Sequence, residues 1–369
     1  MFKLLEKFKV LILCKYTFLK PPKADILLYD QGVRFNFLFK KSFKNLKFDI
    51  FYKRLEKINL NILIKAFFVG GIKKIKDNYL KLYIESVEPR IIITSNDVDT
   101  RFYGIKKLIN KNIFTIVVQR NYREKKREKK DFQNFKLTKE HYICDYFFLF
   151  TKEQKKFYQK YITSKYFEIG SFSNNFHKRK IKKIKNQILF ISQFTPMFIN
   201  TDNYQHESKI IKYLIEVCRL KKMKLKIIVK NLVSYDHLSN NFDRSFQIYL
   251  KHFTFLNKSF FFIQDKSHSN YDFLDNNKLI VFADSQLGVE AASRHNRVLC
   301  VPKDILDIKD FNYDICSIEN FSNFFEKVSQ ILKKSNRLYF NKNYKNNLLK
   351  YDEDNMTIKN LVKKLLKKI

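Results

Sequence analysis

The sequence predicts an α/β protein of two Rossmann-like domains that face each other across a cleft. Short apolar runs typical of strands alternate with helical segments along nearly all of its 369 residues. Apolar strands flanked by helices are typical of parallel sheets that are covered on both faces, and the length suits two domains of ordinary size. A basic stretch at 175–186 separates a predicted N-terminal domain at 1–175 from a C-terminal domain at 187–350.

The elements of the first half follow from their composition. Runs rich in Ile, Leu, Phe and Val predict strands, because such residues suit a buried, pleated surface. Segments with apolar residues at helical spacing predict helices, and Pro89 separates a helix from the strand that follows it. The predicted strands lie at 24–30, 48–54, 90–94, 113–119, 146–150 and 165–171, and the predicted helices at 77–87, 100–110 and 152–162.

The second half shows the same alternation. Its first strand lies in the apolar run QILFISQF, and a later one, LIVFAD, leads into a turn of small and polar residues. The order again favours a parallel sheet with helices on both faces. The predicted strands lie at 187–194, 225–230, 259–264, 279–284 and 297–302, and the predicted helices at 207–220 and around 319–333.

The last segment, 351–369, is predicted to form a basic amphipathic helix. From Ile358 to Ile369 the apolar residues recur at three- and four-residue spacing, and lysines occupy the other face. Such a helix either packs its apolar face on a domain or lies on a membrane whose headgroups attract the lysines. We expect it to pack on the N-terminal domain, with membrane contact as the alternative.

The charge balance indicates an anionic partner. The chain carries 73 basic and 36 acidic residues, a net charge of +37, which raises the local concentration of nucleotides, lipid headgroups or nucleic acid. Aromatic residues make up 16%, so stacking on bases is conceivable. The basic residues are scattered, however, and no recognised RNA- or DNA-binding motif occurs. Nucleotides and an anionic membrane surface are therefore the predicted partners, and nucleic acid is a weaker alternative.

Several classes of protein and site are disfavoured by motifs that the sequence lacks. Five cysteines without a CxxC pair indicate a reducing compartment, with no disulfide framework and no metal site. No apolar run approaches the roughly 20 residues that span a bilayer, and the charged N-terminus lacks the cleavage site of a signal peptide. We expect a cytoplasmic protein, with peripheral contact to the inner membrane face. The missing GxxxxGK[ST], GxGxxG and GxSxG motifs disfavour an ATPase, a dehydrogenase and an α/β-hydrolase.

The most informative motif is LIVFADSQLGVEAASRHNRVLCVP, at 279–302. It predicts a strand, a turn, a helix that begins near Asp284 and Ser285, and a second strand. A helix N-terminus after a turn of small residues binds phosphate, because its unpaired N–H groups point outward. Gly288 admits a close approach of backbone or ligand, and Glu290, expected in the first helical turn, can accept ribose hydroxyls. The motif predicts a sugar-nucleotide site; the alternative is an ordinary capped helix whose positive end favours a glutamate.

Carboxylates at strand ends are the candidate catalytic groups of the first half. Asp97 and Asp99 follow the strand at 90–94, and Asp30 ends the first strand. Ligands bind at the carboxyl ends of parallel strands, and an inverting sugar transfer needs a base that removes the proton of the acceptor hydroxyl. We expect Asp97 or Asp99 to be that base, with Asp30 as a second candidate. Capping of the following helix by Asp99 is the alternative.

Further polar residues near strand ends are candidate binding groups. Arg101, Gln119, Asn121 and Arg123 lie on the edge of the sheet that carries the carboxylates, where they could bind hydroxyls of an acceptor. Lys230 ends a strand of the second half and could neutralise donor phosphate. In so basic a chain, a solvated lysine without a ligand is the commoner outcome.

The order of these elements resembles the GT-B class of glycosyltransferases, and more narrowly the bacterial surface-carbohydrate biosynthesis proteins of O-antigen or capsule. The likeness lies in KADILLYD, in EPRIIITSNDVDTRFYGIKK followed by IFTIVVQRNYR, in YFEIGSFSNN, and in ILFISQF with DSQLGVEAASRHNRVLCVP. Together these segments span about 23–302. The chain departs from the pattern at Asn121, where the resemblance predicts a glycine after Gln119.

The resemblance implies roles for individual residues. In GT-B enzymes a glutamate at the position of Glu290 commonly binds the donor ribose, and Ser285 with the helix amides would hold the diphosphate. Gly170 and Ser171 would border the nucleotide cleft, with Asn175 close behind them. A plain turn from strand to linker is the alternative for this segment.

The sequence thus predicts a glycosyltransferase that moves a sugar from a nucleotide-sugar donor to a cell-surface glycan. The donor would bind the C-terminal domain, and a glycan or lipid-linked glycan acceptor would bind the N-terminal domain. The expected mechanism uses no metal and no cofactor, since helix amides and positive charge would stabilise the departing diphosphate. A sugar-nucleotide 2-epimerase or a polyol-phosphate transferase of the same architecture is the alternative, and a nucleic-acid-binding protein is the second.

Overall fold

The chain divides into two compact units. The computed structural model describes residues 14–30, 33–53, 56–123, 128–180, 183–194, 201–229, 241–262, 269–303, 313–335, 339 and 349–367. The N-terminal unit comprises the residues up to Phe176 and those from Asp352 onward, and the C-terminal unit comprises His177–Tyr351. Within the described ranges, no helix has the length and apolar character that crossing a membrane requires.

The N-terminal unit alternates strands with helices. Its strands are β1 (Lys15–Thr17), β2 (Ile26–Tyr29), β3 (Phe48–Phe51), β4 (Lys57–Asn59), β5 (Ile91–Thr94), β6 (Phe114–Val118), β7 (Ile143–Leu149) and β8 (Thr163–Glu168). Its helices are α1 (Val33–Ser42), α2 (Leu60–Val87), α3 (Thr100–Gly104), α4 (Glu128–Asp131), α5 (Lys152–Tyr158), α6 (Phe172–Phe176) and, from the chain end, α11 (Met356–Lys367). Six strands form a parallel sheet in the order β3-β2-β5-β6-β7-β8, and β1 pairs in parallel with β4.

Both faces of the six-stranded sheet are covered. Leu27 and Tyr29 of β2 pack into one apolar cluster with residues of α2 such as Ile84. Ile26 and Leu28 belong to a second cluster, which includes the apolar faces of α1 and α11. Successive side chains of a strand point to opposite faces, so a strand that is covered on both sides reads as a continuous apolar run. This explains why ILLY shows no polar alternation.

The helix α2 is longer than the predicted 77–87. It begins after Asn59, whose side chain accepts a hydrogen bond from the Ile62 amide at 3.1 Å, and it bends at Gly71, where φ is 61°. Its first half exposes several large apolar side chains, so it lacks the two-faced pattern from which a helix is predicted. Glu88 ends the helix in a left-handed conformation, with φ of 52°.

The terminal helix α11 packs on the N-terminal sheet. Ile358, Val362 and Leu365 are buried in the apolar cluster that covers β2 and β5, and Lys363 and Lys364 are exposed. The buried amides of Asn175 and Asn355 join α6 to the turn before α11, with Asn175 Nδ2 donating to Asn355 Oδ1 at 3.2 Å. Because the apolar stripe is already buried, it is not available to insert into a bilayer.

The C-terminal unit is built on a second parallel sheet. Its strands are β9 (Lys185–Ile191), β10 (Lys224–Ile228), β11 (Asn277–Phe282), β12 (Val298–Cys300) and β13 (Asp314–Ile315), in the order β10-β9-β11-β12-β13. Its helices are α7 (Asp202–Leu220), α8 (Asn241–His252), α9 (Gln286–Ser293) and α10 (Phe321–Lys333). Ile188 and Phe190 of β9 pack with α7, and Leu189 and Ile191 pack on the opposite face with α9.

The strand predicted at 259–264 is wrong. Lys258–Phe260 forms a 3-10 helix, and Phe261 makes a single isolated bridge to Ile227; residues 263 and 264 lie outside the described ranges. The side chain of Asn257 accepts a hydrogen bond from the Ser259 amide at 2.9 Å. This local cap favours a turn, while the aromatic residues that suggested a strand serve to fill the core.

Candidate functional site

Each sheet has a point at which the chain reverses the direction in which strands are added. In the C-terminal unit, β10 and β11 lie on opposite sides of β9, and in the N-terminal unit β3 and β5 lie on opposite sides of β2. The connections diverge there and leave a crevice outside the carboxyl ends of the strands, where ligands bind in open α/β sheets. The candidate sites are therefore the carboxyl end of β9 and β11 and that of β2 and β5.

The N-terminus of α9 lies at the first of these points. Ser285 is the cap residue, and its hydroxyl is buried but makes no hydrogen bond to any described residue. Its carbonyl accepts from the Gly288 amide at 3.0 Å, while the first amides of a helix have no acceptor within it. Asp284, just before, is exposed. This end of α9 offers unused donors to an anion, as the sequence predicts for phosphate.

Glu290 lies just beyond the first turn of α9 instead of within it, and it is only 3% exposed. One carboxylate oxygen accepts from the Tyr271 hydroxyl at 2.7 Å, and the other accepts from Gln286 Nε2 at 2.8 Å. A carboxylate oxygen has more than one acceptor site. Glu290 can therefore receive a ligand hydroxyl only in addition to these two partners, or after Gln286 has moved aside.

Gly288 is required by packing inside the unit. A Cβ at this position would lie 2.2 Å from the ring of Phe282, far closer than atoms can approach without displacement. The space beside its Cα is filled by an aromatic side chain of the preceding strand, and the expectation that Gly288 lets a ligand approach remains a prediction.

A buried cluster, which the sequence analysis missed, holds α9 in place. The Tyr271 ring stacks on His177 at a centroid distance of 4.6 Å. Arg294, at the end of α9, makes a two-pronged ion pair with Asp275 at 2.9 and 2.6 Å and donates to the His177 carbonyl at 2.8 Å. The cluster connects the start of the C-terminal unit to the helix that carries Ser285. No local motif marks it, because its members are distant in sequence.

Glu207 is a second residue that the sequence analysis missed. It lies on α7 against the end of β9, where it accepts from the Gln193 amide at 3.2 Å and from the Tyr249 hydroxyl at 3.1 Å; the Ser192 hydroxyl donates to it as well. Burial raises the pKa of Glu207 from 4.5 to about 7, although these hydrogen bonds oppose the rise. Its helical spacing from the buried Ile210, Ile211 and Leu214 places it on the buried face, and this was the available signal.

Asp30 lies at the switch point of the N-terminal unit. It follows β2 with φ of 90°, a conformation that is rare for residues other than glycine. Asn36 Nδ2 donates to its carbonyl at 3.1 Å, and Asn96 Nδ2 approaches its carboxylate at 3.4 Å. The side chain is half-buried. Asp30, the second candidate for the base, therefore lies where a ligand of this sheet is expected.

Asp97, the first candidate for the base, is held in an internal ion pair. It is 1% exposed, and its carboxylate receives Arg123 Nε at 3.0 Å, Arg123 Nη2 at 2.9 Å and the Tyr158 hydroxyl. Arg123 also contacts Asp131 at 3.2 Å. Asp97 and Arg123 therefore pair with each other inside the unit, and their roles as base and as acceptor-binding group remain predictions.

Asp99 and Gln119 also have internal partners. Asp99 caps α3 by accepting from the Arg101 amide at 3.2 Å and pairs with Lys53, which is the capping alternative that the sequence left open. Gln119 donates to Gln154 at 2.8 Å and accepts from the Phe150 amide at 2.9 Å. These bonds position the loops that follow β5 and β6, and the predicted site roles of Asp99 and Gln119 remain predictions.

The remaining candidates divide between exposed and structural positions. Arg101 and Asn121 are exposed near the carboxyl edge of the N-terminal sheet. Gly170 has φ of 76°, a conformation that favours glycine, and the Ser171 hydroxyl accepts from the Asn174 amide at 3.3 Å. These two residues therefore form the turn before α6. Lys230 lies outside the described residues. No cluster of three or more metal-binding side chains occurs in the described part of the chain.

Comparisons with known proteins agree with this architecture. A family model described as "putative O-antigen biosynthesis protein" matches residues 116–366. A "putative UDP-N-acetylglucosamine 2-epimerase" from Listeria monocytogenes has 13% identity and a TM-score of 0.57, with 94% of this chain and 97% of that chain covered. The UDP-GlcNAc 2-epimerase from Neisseria meningitidis bound to UDP-GlcNAc has 11% identity and a TM-score of 0.55, with 92% and 99% covered. The corresponding enzyme from Methanocaldococcus jannaschii has 12% identity and a TM-score of 0.53, also with 92% and 99% covered. No curated protein matches the sequence.

These findings confirm the predicted fold class and the predicted resemblance. Identities of 11% to 13% show that the chain shares the GT-B fold of the epimerases and leave its own reaction open. The family match covers residues 116–366 of 369, well over half of the chain. The protein therefore belongs to the family described as "putative O-antigen biosynthesis protein".

Proposed function

We propose that the protein transfers a sugar from a nucleotide-sugar donor to a cell-surface glycan acceptor. The observation that carries the proposal is the N-terminus of α9, where the buried Ser285 hydroxyl has no described partner at the carboxyl end of β11. An unsatisfied buried hydroxyl costs free energy, and a phosphate oxygen would satisfy it together with the first amides of the helix. Membership of an O-antigen family supports a nucleotide sugar as the source of that phosphate.

The donor is proposed to bind around α9. Ser285 and the helix amides hold the diphosphate, and Glu290 accepts a ribose hydroxyl beside its bond from Tyr271. Asp284 is exposed beside this end of the helix. Lys230, known here from the sequence alone, is proposed to neutralise phosphate charge.

Asp30 is the proposed base of the N-terminal unit. It removes the proton of the acceptor hydroxyl while the oxygen attacks the anomeric carbon and the bond from that carbon to the diphosphate breaks. Asp30 is preferred among the three candidates because it lies at the switch point of this sheet, where a ligand is expected. Asp97 and Asp99 pair with Arg123 and Lys53. Donors at the α9 terminus stabilise the charge that develops on the diphosphate. The reaction written this way requires neither a metal nor an organic cofactor.

Calorimetry with UDP-, GDP-, CDP- and dTDP-sugars tests donor binding. We expect one of these to bind the wild-type protein, and Ser285→Ala to weaken its binding about tenfold, as the loss of one hydrogen bond to a charged group predicts. Ser42→Ala is the matched control, because it removes a helical hydroxyl that donates only to the Leu38 carbonyl. Equal affinities of the two variants would remove Ser285 from the site.

Epimerisation of a nucleotide sugar is the second candidate. Two carboxylates, Glu207 and Glu290, lie near the carboxyl edge of one sheet, and the pKa of Glu207 is raised to about 7 by burial, a value suited to proton transfer. Incubation with UDP-N-acetylglucosamine in deuterated water, without acceptor, separates the candidates. Deuterium at the sugar carbon that inverts would establish epimerisation, whereas a transferase leaves the donor unlabelled.

We also propose that an exposed apolar face of α2, formed by Ile64, Phe68, Val69 and Ile72, contacts an anionic membrane. These side chains are 53%, 80%, 68% and 77% exposed. Exposed lysines occur at 65, 74 and 76 of the same helix, and apolar side chains with neighbouring lysines favour anionic lipid. A membrane contact here would bring the enzyme to a lipid-linked acceptor.

Sedimentation with vesicles tests the membrane contact. We expect binding to vesicles that contain phosphatidylglycerol, and loss of it in Phe68→Ser/Val69→Ser. The control Lys363→Glu/Lys364→Glu changes α11, whose apolar face is buried, and should retain most of the binding. If the α11 variant lost vesicle binding and the α2 variant kept it, the membrane contact would lie on the terminal helix. If the α2 variant abolished dimerisation, a second copy of the chain would be the partner of this face.

A further inference from the structure

A cavity of the C-terminal unit lies at the amino-terminal edge of its sheet. It has a volume of about 760 Å³. It is lined by residues at and just before the starts of β9 and β11, by residues that precede β10 and β12, and by the end of α10. Because all described strand pairs of this sheet are parallel, this edge is opposite to the one that carries Ser285. We call this cavity the basal groove. Its volume is typical of small-molecule sites.

The lining of the basal groove is strongly basic. Its one described carboxylate, Asp275, is neutralised by the two-pronged pair with Arg294, in which both side chains are almost fully buried. A depression lined by one sign of charge concentrates counter-ions. The cationic lining residues are Arg179, Lys180, Lys221, Lys278, Arg297 and Lys333.

Arg297 is built into the wall. Its Nη1 donates to the carbonyls of Ile331 and Leu332, at 3.2 and 3.3 Å, at the end of α10. These bonds orient the guanidinium before any ligand arrives, so a bound anion would lose little side-chain entropy. Burial lowers the pKa of Arg297, and burial together with Arg179 lowers that of His295.

The wall also contains an unsatisfied hydroxyl. Ser329 of α10 is 9% exposed, and its Oγ makes no hydrogen bond to any described residue. Leaving a buried hydroxyl without a partner is unfavourable. An acceptor oxygen that enters the groove would remove this cost by accepting a hydrogen bond from the hydroxyl. Lysines on an open surface do not create such a requirement for a ligand.

We propose that the basal groove is a second anion site, which binds an organic phosphate or diphosphate. Cations and the Ser329 hydroxyl meet the phosphate oxygens, and the apolar lining residues Ile184, Met223 and Leu332 meet the organic part. The site is distinct from the proposed donor site, since the two lie at opposite edges of one sheet. A soluble nucleotide and a phospholipid headgroup share this chemistry.

The test uses the full chain with Ser285→Ala, which weakens donor binding, and compares a groove variant with a control variant in this same background, so that residual donor binding is common to both. Calorimetry measures the affinity for pyrophosphate and for UDP, and flotation measures binding to phosphatidylglycerol vesicles. Lys278→Glu/Lys333→Glu alters the groove, while Lys224→Glu/Lys251→Glu makes the same charge change at exposed positions outside it. We expect the groove variant to weaken binding about tenfold more than the control, because the groove charges act at close range.

Ser329→Ala separates binding from folding. Removing an unpartnered buried hydroxyl should leave the melting temperature unchanged or slightly raise it, while weakening binding about threefold to tenfold. Loss of pyrophosphate and UDP binding in the groove variant identifies a soluble phosphate as the ligand, and loss of vesicle binding alone identifies a headgroup. Equal binding by the groove and control variants, or no binding of any probe to the parent protein, would overturn the proposal without affecting the proposed transfer reaction.

Discussion

The carboxyl edges of the two sheets differ in how their polar groups are used. At the N-terminal edge, Asp97 and Asp99 follow β5, and both are engaged by Arg123 and Lys53. At the C-terminal edge, the hydroxyl of Ser285 is buried without a described partner. Polar residues follow a strand at both edges, so this position does not by itself identify a site. Hydrogen-bonding capacity left unused in a folded unit is the more specific signal, because folding alone would select against it.

The largest expected effect comes from removing the internal pair of the N-terminal edge. Asp97→Ala leaves the Arg123 guanidinium without its main partner, and we expect a loss of about 3–5 kcal/mol in the free energy of unfolding. Urea denaturation measures it. Asp284→Ala, at the exposed strand-end carboxylate of the C-terminal edge, should change stability by less than about 0.5 kcal/mol. Similar values for the two variants would erase the contrast between the edges.

Glu207 should make stability depend on pH. Its pKa is raised from 4.5 to about 7 by burial, so the folded state retains a proton that the unfolded state releases. The contribution of Glu207 to the free energy of unfolding is then greatest below about pH 4.5. It falls by about 3 kcal/mol as the pH rises toward 7 and is constant above that pH. Glu207→Gln should remove this part of the profile, which urea unfolding at a series of pH values between 5 and 8 records. Parallel profiles of the two proteins would contradict the assignment.

Asp30→Asn tests whether the base lies at the switch point of the N-terminal sheet. If Asp30 accepts the proton of the acceptor hydroxyl, transfer should slow about 100-fold or more, with the melting temperature unchanged because asparagine tolerates the left-handed backbone. Asp25→Asn alters the residue before the same strand, where its carboxylate accepts from the Lys47 amide, and should transfer normally. Equal rates for both variants would move the base elsewhere.

Gly288→Ala is expected to have the smallest effect of the four. The added methyl meets the Phe282 ring, and overpacking of this kind costs about 1–3 kcal/mol. Phe282→Leu in the same chain should recover part of the loss, since the smaller side chain yields the space; thermal unfolding of the single and double variants gives the coupling. If the glycine were needed only for the approach of a ligand, the Gly288→Ala protein would bind the nucleotide sugar more weakly but unfold at the same temperature as the wild type.

The order of strands and helices could be predicted because it depends on local patterns. Fully buried strands such as ILLY and IIIT read as continuous apolar runs, and the turn before α9 carries its own cap residue. The failures have local causes too. The first half of α2 exposes apolar side chains, and the run at 259–264 is aromatic because it fills the core, so in both places composition did not match the usual pattern of the element.

The amino-acid sequence by itself determined the fold class, the two parallel sheets and the position of the turn before α9, since hydrophobic periodicity and capping act over a few residues. The tertiary structure alone decided which polar side chains are available. Whether Asp97 is a base or half of an ion pair depends on Arg123, and whether Glu290 is open depends on Tyr271. These partners lie many residues away in the chain, and only folding brings them within hydrogen-bonding distance.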